Sequence, residues 1–240
     1  MLMTEYIVES EKVHKIYHTD GTKVHALKGI DLKIKRGEIL AVMGPSGCGK
    51  TTLLNCLSGL DSINSGIIKI DGRRIDNLSD VELTRYRGLK MGFVFQAYNL
   101  IPVLTAVENV ELPMLLNGTK PDVARKRAIA ALRDVGLAGR EHHLPNQVSG
   151  GEQQRVAIAR ALAHNPAIVW ADEPTGNLDT KSTKEIVNLI LRLNKERGNT
   201  FVIVTHDPSV GECAHRVVLM RDGKIMKEYE PVCKIRPGGA

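Results

Sequence analysis

Cysteine and tryptophan are scarce in this chain, long apolar runs are missing, and neither sign of charge dominates. The four cysteines, Cys48, Cys56, Cys213 and Cys233, form no Cys-x-x-Cys pair. Their density excludes a disulfide scaffold, and free thiols are expected. No apolar stretch approaches the roughly 18 residues that a membrane helix needs, and residues 1–15 (MLMTEYIVESEKVHK) are too polar for a signal peptide. A cytosolic chain is expected, held at a membrane only through a partner. The excess of 33 Lys and Arg over 27 Asp and Glu leaves +6 over 240 residues, too little by itself to mark a nucleic-acid binder. What is present is ordinary: 42% apolar and 25% charged residues, enough for a core and far from disordered or fibrous composition.

The first segment, YIVESEKVHKIYHTDGTKVHALKGIDLKIKRGEILAVMG, alternates apolar and polar residues and breaks at Asp20-Gly21 and Arg36-Gly37. That pattern predicts antiparallel strands joined by turns. Ile39 to Met43 is a continuous apolar run of the kind buried on both faces of a parallel sheet, and it runs into glycines. A helix through Leu53, Leu54 and Leu57 follows. Pro121 to Val135 places Pro at a helix start and Ala124, Ala128, Leu132 and Val135 on one face, with Gly136 as the stop. Two more buried strands are expected at Ala167–Ala171 and Phe201–Thr205, each after a helical pattern, which gives α/β alternation. Residues 97–162 show no comparable strand and read as a helical insertion. Residues 231–240 (PVCKIRPGGA) read as a loosely ordered tail.

Residues 44–51, GPSGCGKT, complete the phosphate-loop pattern between a strand and a helix. Glycines let backbone N–H groups converge on phosphate oxygens, and the helix N-terminus adds its dipole. Gly44, Pro45, Ser46, Gly47, Cys48, Gly49, Lys50, Thr51 and Thr52 therefore form the expected cradle. Lys50 reaches the outer phosphates, and Thr51 offers a hydroxyl to Mg²⁺. The run IVWA ends in Asp172 and Glu173, which a parallel strand delivers to the sheet edge where ligands bind. Asp172 is the expected Mg²⁺ ligand, and Glu173 the group that polarises the attacking water. His206, just past TFVIV, stands at the same edge, in reach of a γ-phosphate. These features alone leave kinases, GTPases, helicases and transport ATPases open. Residues 148–154, VSGGEQQ, then open an amphipathic helix with a hydroxyl and exposed N–H groups, a second anion site.

In order, GPSGCGKT, Gln96 in FVFQAYNL, VSGGEQQ, IVWADEP, the Asn177-Leu178-Asp179 turn and His206 resemble the full motif set of an ABC-transporter ATPase, over residues 6–229. GFVFQAYNLIPVLTAVENVELPM looks like the group that serves lipoprotein release, macrolide export and cell-division permeases. Val148 stands where Leu is usual and Glu152 where Gln is common.

The resemblance implies an α/β P-loop NTPase fold, one domain over 1–240. Its parts are a mixed central sheet with an N-terminal antiparallel β-layer (1–96 and 163–230) and a helical insertion (97–162). It implies ATP and Mg²⁺ as cofactors and an ATP-sandwiched head-to-tail homodimer. In that dimer Ser149, Gly150 and Gly151 of one copy close on the nucleotide held by Lys50 of the other, and Asp179 crosses the interface. Tyr17 matches the position that stacks on adenine, and Gln96 the one that links the metal and the water to the helical insertion. Integral membrane permease subunits are the implied partners, docked beside Tyr98, Leu100, Ile101, Pro102 and Leu104 at the inner face of the membrane.

A DNA-repair or other soluble clamp of the same superfamily is the rival. No sustained heptads support the coiled coil such proteins carry, and no nucleic-acid partner is expected. Residues 120–143 hold Lys120, Arg125, Lys126, Arg127, Arg133 and Arg140 against Asp122, Asp134 and Glu141, a net +3 and half of the total. A solvated helix face accounts for it, and a surface near anionic lipid is the sharper reading. Trp170, two residues before Asp172, is expected to report metal and nucleotide binding by fluorescence.

Overall fold

The computed structural model describes residues 5–19 and 21–231. Asp20 of the first turn, Cys233 and nearly all of the 231–240 segment lie outside these. Two strands, β1 (Tyr6–Thr19) and β2 (Thr22–Lys35), pair antiparallel as their alternation predicts. With β4 (Ser65–Ile70) and β5 (Arg73–Arg74) they form a four-stranded sheet of order β2-β1-β4-β5. The central sheet adds β3 (Ile39–Met43), β6 (Met91–Phe95), β7 (Ile168–Asp172), β8 (Thr200–Val204), β9 (Arg216–Arg221) and β10 (Lys224–Tyr229), in the order β10-β9-β3-β8-β7-β6. Only the β9–β10 pair is antiparallel, so the sheet is mixed.

Because strand side chains alternate in direction, the apolar runs of β3, β7 and β8 feed two cores. Leu40, Val42, Ile168, Trp170, Val202 and Val204 pack with β1, β2, β4 and helix α1 (Lys50–Leu57). Ile39, Ala41, Val169, Ala171, Phe201 and Ile203 pack against the helices of the other side. Those are α3 (Ala106–Leu116), α4 (Pro121–Asp134), α5 (Gly150–Leu162) and α6 (Thr180–Arg197). Helix α2 (Asp80–Lys90) leads into β6, and a short helix, α7 (Pro208–Gly211), follows β8.

Residues 97–162 contain no strand, as expected, but the helices there share one continuous core with the sheet. Close approach is what joins them. A Cβ on Gly92 of β6 would lie 2.2 Å from the carbonyl oxygen of Ala161 in α5, so only glycine lets the helix sit this near the strand. Element ends shift by a residue or two from the sequence reading: α1 begins at Lys50, and β7 carries Asp172 as its last residue. Gly136, at φ 79°, follows α4 as the expected stop. On α4, Lys126, Arg127 and Arg133 are exposed, whereas Arg125 pairs with Glu111 and Asp134 with Arg197. The register sets Val42 beside Val204, and Val204 beside Asp172, which pairs with Phe95. The C-terminal ends of β3, β8, β7 and β6 thus share one edge, where every site element converges.

Candidate active site

Residues 44–49 leave β3 and turn into α1 at that edge. Gly49 occupies the N-cap at φ 104°, and a Cβ there would lie 2.8 Å from Ala26 O, so both conformation and space demand glycine. No side chain caps α1 and no acid stands in its first turn. Its leading N–H groups and positive dipole end therefore remain for an anion. Lys50 is 8% exposed, and its Nζ donates to Gly44 O at 2.9 Å and Pro45 O at 3.0 Å. These carbonyls neutralise part of the cost of a nearly buried ammonium, and an anion in the cradle would do so better. Cys48 is buried, and its carbonyl accepts from Gly223 N.

The loop lines a cavity of about 740 Å³ together with Tyr17, Val24, His25 and Glu173. Ser46, Gly47, Cys48, Gly49, Lys50, Thr51 and Thr52 all contribute to it. A comparable cavity of about 680 Å³ lies at the opposite, N-terminal edge of the parallel strands, lined by Arg36, Glu38, His215 and Arg216 among others. There Arg216 pairs with both Glu38 and Glu228. The cavity has no anion-binding loop.

Thr51 Oγ1 donates to Asp172 Oδ1 at 3.1 Å. Burial pushes the Asp172 carboxyl above its ordinary value; the Thr51 hydrogen bond opposes this, Glu173 adds to it, and Lys50 opposes it again. A divalent cation would relieve that crowding. A hydroxyl and a carboxylate side by side are hard oxygen donors suited to Mg²⁺, which keeps waters and phosphate oxygens as its other ligands. Among the described residues no group of three His, Cys, Asp or Glu could hold a metal, so an all-protein cage is not offered.

Glu173, the next residue, has left-handed φ of 47°, an unusual backbone state for a side chain of its size. Its N–H donates to Val204 O at 2.9 Å, fixing the turn. The carboxylate then meets His206: Oε1 accepts from Nδ1 at 2.9 Å, and Oε2 lies 3.4 Å from the His206 N–H. Base and γ-phosphate candidates, 33 residues apart in sequence, are thus one pair.

Gln96, expected at the metal, is tied to Asn177. Its Nε2 donates to Asn177 Oδ1 and its backbone carbonyl accepts from Asn177 Nδ2, both at 3.1 Å. It links the end of β6 to the turn after Glu173. Just beyond, Tyr98 and Asn99 have φ of 61° and 50°, and Arg160 of α5 donates to both of their carbonyls. A side-chain clamp holds two strained residues in place.

The signature segment forms a separate cluster. Ser149 is the N-cap of α5, and its hydroxyl, read from sequence as a phosphate ligand, is bonded to Glu152: it donates to Oε2 at 2.9 Å and accepts from the Glu152 N–H at 3.3 Å. The physical reason is the Glu at N3, which completes a capping box with the serine. Gly150 faces Tyr98 and Leu178, and Gly151 faces Ser182. Asp179 likewise caps its own helix, with Oδ1 accepting from the N–H groups of Lys181 (2.8 Å) and Ser182 (2.9 Å) and Oδ2 from Ser182 Oγ at 2.9 Å. These bonds hold its carboxyl below the usual range. Within one chain, then, Lys50, Thr51, Asp172, Glu173 and His206 come together, and Ser149, Gly150, Gly151 and Asp179 stand apart with Tyr98 and Ser182.

Sequence reasoning missed Gln154, which is fully buried and donates to Pro174 O, directly after Glu173. A polar residue on the otherwise apolar buried face of an amphipathic helix was the available signal. It also missed Asp61, which accepts from the Tyr17 hydroxyl at 2.6 Å across 44 residues.

The ABC transporter family profile matches residues 27–176. The chain is 46% identical over 226 residues to the lipoprotein-releasing system ATP-binding protein LolD of Legionella pneumophila (strain Paris), covering 93% of this chain and 98% of that one. It is 45% identical over 222 residues to the macrolide export ATP-binding/permease protein MacB of Bdellovibrio bacteriovorus, covering 92% of this chain and 34% of that one. A dimeric structure of the ATP-binding cassette MJ0796 of Methanocaldococcus jannaschii, in a post-hydrolysis state bound to ADP and Pi, matches at TM-score 0.85 and 45% identity over 93% of this chain and 98% of that one. Phosphate loop, acidic strand and mixed sheet agree with these likenesses: the chain is an ATPase of the ABC transporter ATP-binding family, in the group that includes LolD and MacB.

Proposed function

We propose that this chain is the ATP-driven motor subunit of a transporter, closing head to tail with a second copy of itself and passing the motion to separate integral membrane permease subunits. The observation that carries the reading is the split between the two clusters. The hydrolytic groups gather at one sheet edge, while Ser149, Gly150 and Gly151 make no contact with the phosphate loop of their own chain. Phosphate ligands that cannot serve their own site are suited to a partner's. The dimeric assembly of the MJ0796 cassette supports the same arrangement, and a relative whose own name joins ATP-binding and permease parts supports the partner.

In this reading the loop amides and Lys50 hold the phosphates, Lys50 exchanging its two carbonyl partners for phosphate oxygens. Thr51 and Asp172 would hold Mg²⁺, which supplies positive charge against the developing phosphate charge. Glu173 draws the proton of the attacking water, and His206 keeps the carboxylate aimed and bonds the γ-phosphate. Gln96, through Asn177, relays the state of that edge to the helical unit of residues 97–162. Exposed Ile101 and Val103, at 38% and 79%, lie in the segment after Gln96 and suit a permease surface. No helix among the described residues is long and apolar enough to cross a membrane, and the proposed location is the inner membrane face, reached through the permease. For a clamp on nucleic acid, the rival, the basic charge of α4 is reduced by one, since Arg125 is already paired with Glu111.

Light scattering of Ser149→Arg with saturating Mg-ATP tests the dimer: nucleotide binding by the monomer is expected to persist while dimerisation is lost. A variant that dimerises like the wild type refutes the trans site. ATPase stimulation by a reconstituted permease, and none by DNA, separates the motor from the clamp.

A further inference from the structure

Tyr17 lines the cavity that holds the phosphate loop, and its surroundings are more ordered than a half-exposed aromatic requires. Its hydroxyl donates to Asp61 Oδ2 at 2.6 Å and also interacts with Thr52, the residue after the loop. The other carboxylate oxygen of Asp61 accepts from Lys15 Nζ at 2.6 Å. Lys15 has only 8% of its side chain exposed, also donates to Ser62 O at 2.7 Å, and places its ammonium over the Tyr17 ring, 4.9 Å from the centroid. A nearly buried charge is retained because it is paired and hydrogen-bonded. The ion pair thus works on the ring twice: Asp61 fixes the hydroxyl end, and Lys15 occupies one face. Burial and the Asp61 bond push the Tyr17 hydroxyl up to about 12, so it stays a donor throughout the physiological range.

We propose that Asp61, with Lys15, is the positioning pair that turns Tyr17 into a one-sided platform for the nucleobase, and that it ties this platform to the helix that carries the phosphate loop. The tie is direct. Asp61 follows α1 by four residues, and the N–H groups of Leu60 and Asp61 both donate to Asn55 O within that helix. Base end and phosphate end are therefore set by the two ends of one short rigid element, about 12 Å long at 1.5 Å per residue. With Lys15 over one face of the ring, a base can stack only on the other. Without Asp61 the ring is free to rotate and the stack must be ordered at the moment of binding, which weakens affinity and leaves the chemistry untouched.

The assignment rests on Tyr17 being the base platform, and a double-mutant cycle on the full chain separates the two ideas. Half-saturating ATP and kcat are measured for Tyr17→Ala, Asp61→Ala and the double variant. Tyr17→Ala and Asp61→Ala are each expected to raise the half-saturating ATP concentration about 5- to 10-fold, the scale of one base–aromatic stack, with kcat held within about twofold. The double variant is expected to match the worse single, because Asp61 acts through Tyr17. Asp61→Asn, which keeps an acceptor for the hydroxyl but loses the charge facing Lys15, should fall in between. It takes the place of Asp61→Ala in the cycle should that variant not fold. If Tyr17→Ala leaves ATP affinity unchanged, the platform itself is refuted. If Tyr17→Ala weakens ATP and Asp61→Ala does not, or if the two losses multiply, the positioning role alone is overturned.

Discussion

Replacing Glu173 by Gln removes one negative charge and almost no volume, and the structure says where the cost falls. The backbone of the turn is held by the Glu173 N–H to Val204 O bond at 2.9 Å, which the substitution spares. A glutamine Oε1 can still accept from His206 Nδ1, since the present contact is 2.9 Å. What is lost is the charge on that bond and the weak 3.4 Å contact to the His206 N–H. His206 has 70% of its side chain exposed, so the pair is largely screened, and its loss should cost at most about 1 kcal/mol of stability. In a chain of this size that is about 2–4 °C in Tm. Proton abstraction is another matter. An amide cannot take a proton from water, and a positioned base contributes typically 10²–10⁴ in rate, about 3–5 kcal/mol of barrier. The variant is therefore expected to bind Mg-ATP, to melt within a few degrees of the wild type, and to hydrolyse ATP at least about 100-fold more slowly. With turnover stalled, light scattering should record a persistent ATP-dependent dimer. A monomeric variant with full ATPase activity would refute both the base assignment and the sandwiched dimer.

Gly92→Ala should destabilise the junction between β6 and α5, because the new methyl would lie 2.2 Å from the backbone oxygen of Ala161. Overpacking of this kind costs about 1–3 kcal/mol, so thermal melting should show a loss of about 3–10 °C; a Tm within a degree of the parent would show that the strand and helix separate freely. His164 gives a pH signature. Burial lowers its pKa despite the hydrogen bond to Met91 O, so the unfolded chain takes up a proton more readily than the folded one. Its contribution is full above the unfolded value of about 6.5 and is lost as pH falls through that value toward the lower folded one. Urea midpoints of His164→Gln should therefore lose less than those of the wild type between pH 7.5 and 5.5, and equal losses would contradict a buried neutral imidazole.

What the sequence disclosed was contiguous chemistry. The loop of residues 44–51 and the Asp172-Glu173 ending each carry their meaning within a few residues, and the continuous apolar runs of β3, β7 and β8 announce a sheet buried on both faces. Less visible were β5, only two residues long, and β6, whose MGFVF run has no turn residue before it. Side-chain partners were hidden where sequence distance is large, as between Tyr17 and Asp61 or Gln96 and Asn177. Ser149 shows a different limit. Its S-x-x-E spacing fits a capping box as well as an anion site, and within one chain the capping box is what forms. Trp170 was correctly placed beside the acidic pair, but it is fully buried. Any fluorescence response must come from movement of β7, since bound ligand cannot touch the ring.

The Arg160 clamp has a bearing on protein engineering. Residues 97–162 look like a cassette that could be exchanged between relatives to retarget a motor to another permease. Cuts at Gln96 and Ala163 would carry Arg160 along with its two carbonyl partners, Tyr98 and Asn99, as one intact unit. They would also divide Gln154 from Pro174, pairing a foreign donor with a native carbonyl, while Gln96 and Asn177 would stay together in the host. A functional chimera must therefore transplant residues 96–162 together with the 174–177 turn, because the boundary of the exchangeable part is drawn by hydrogen bonds rather than by the run of the chain.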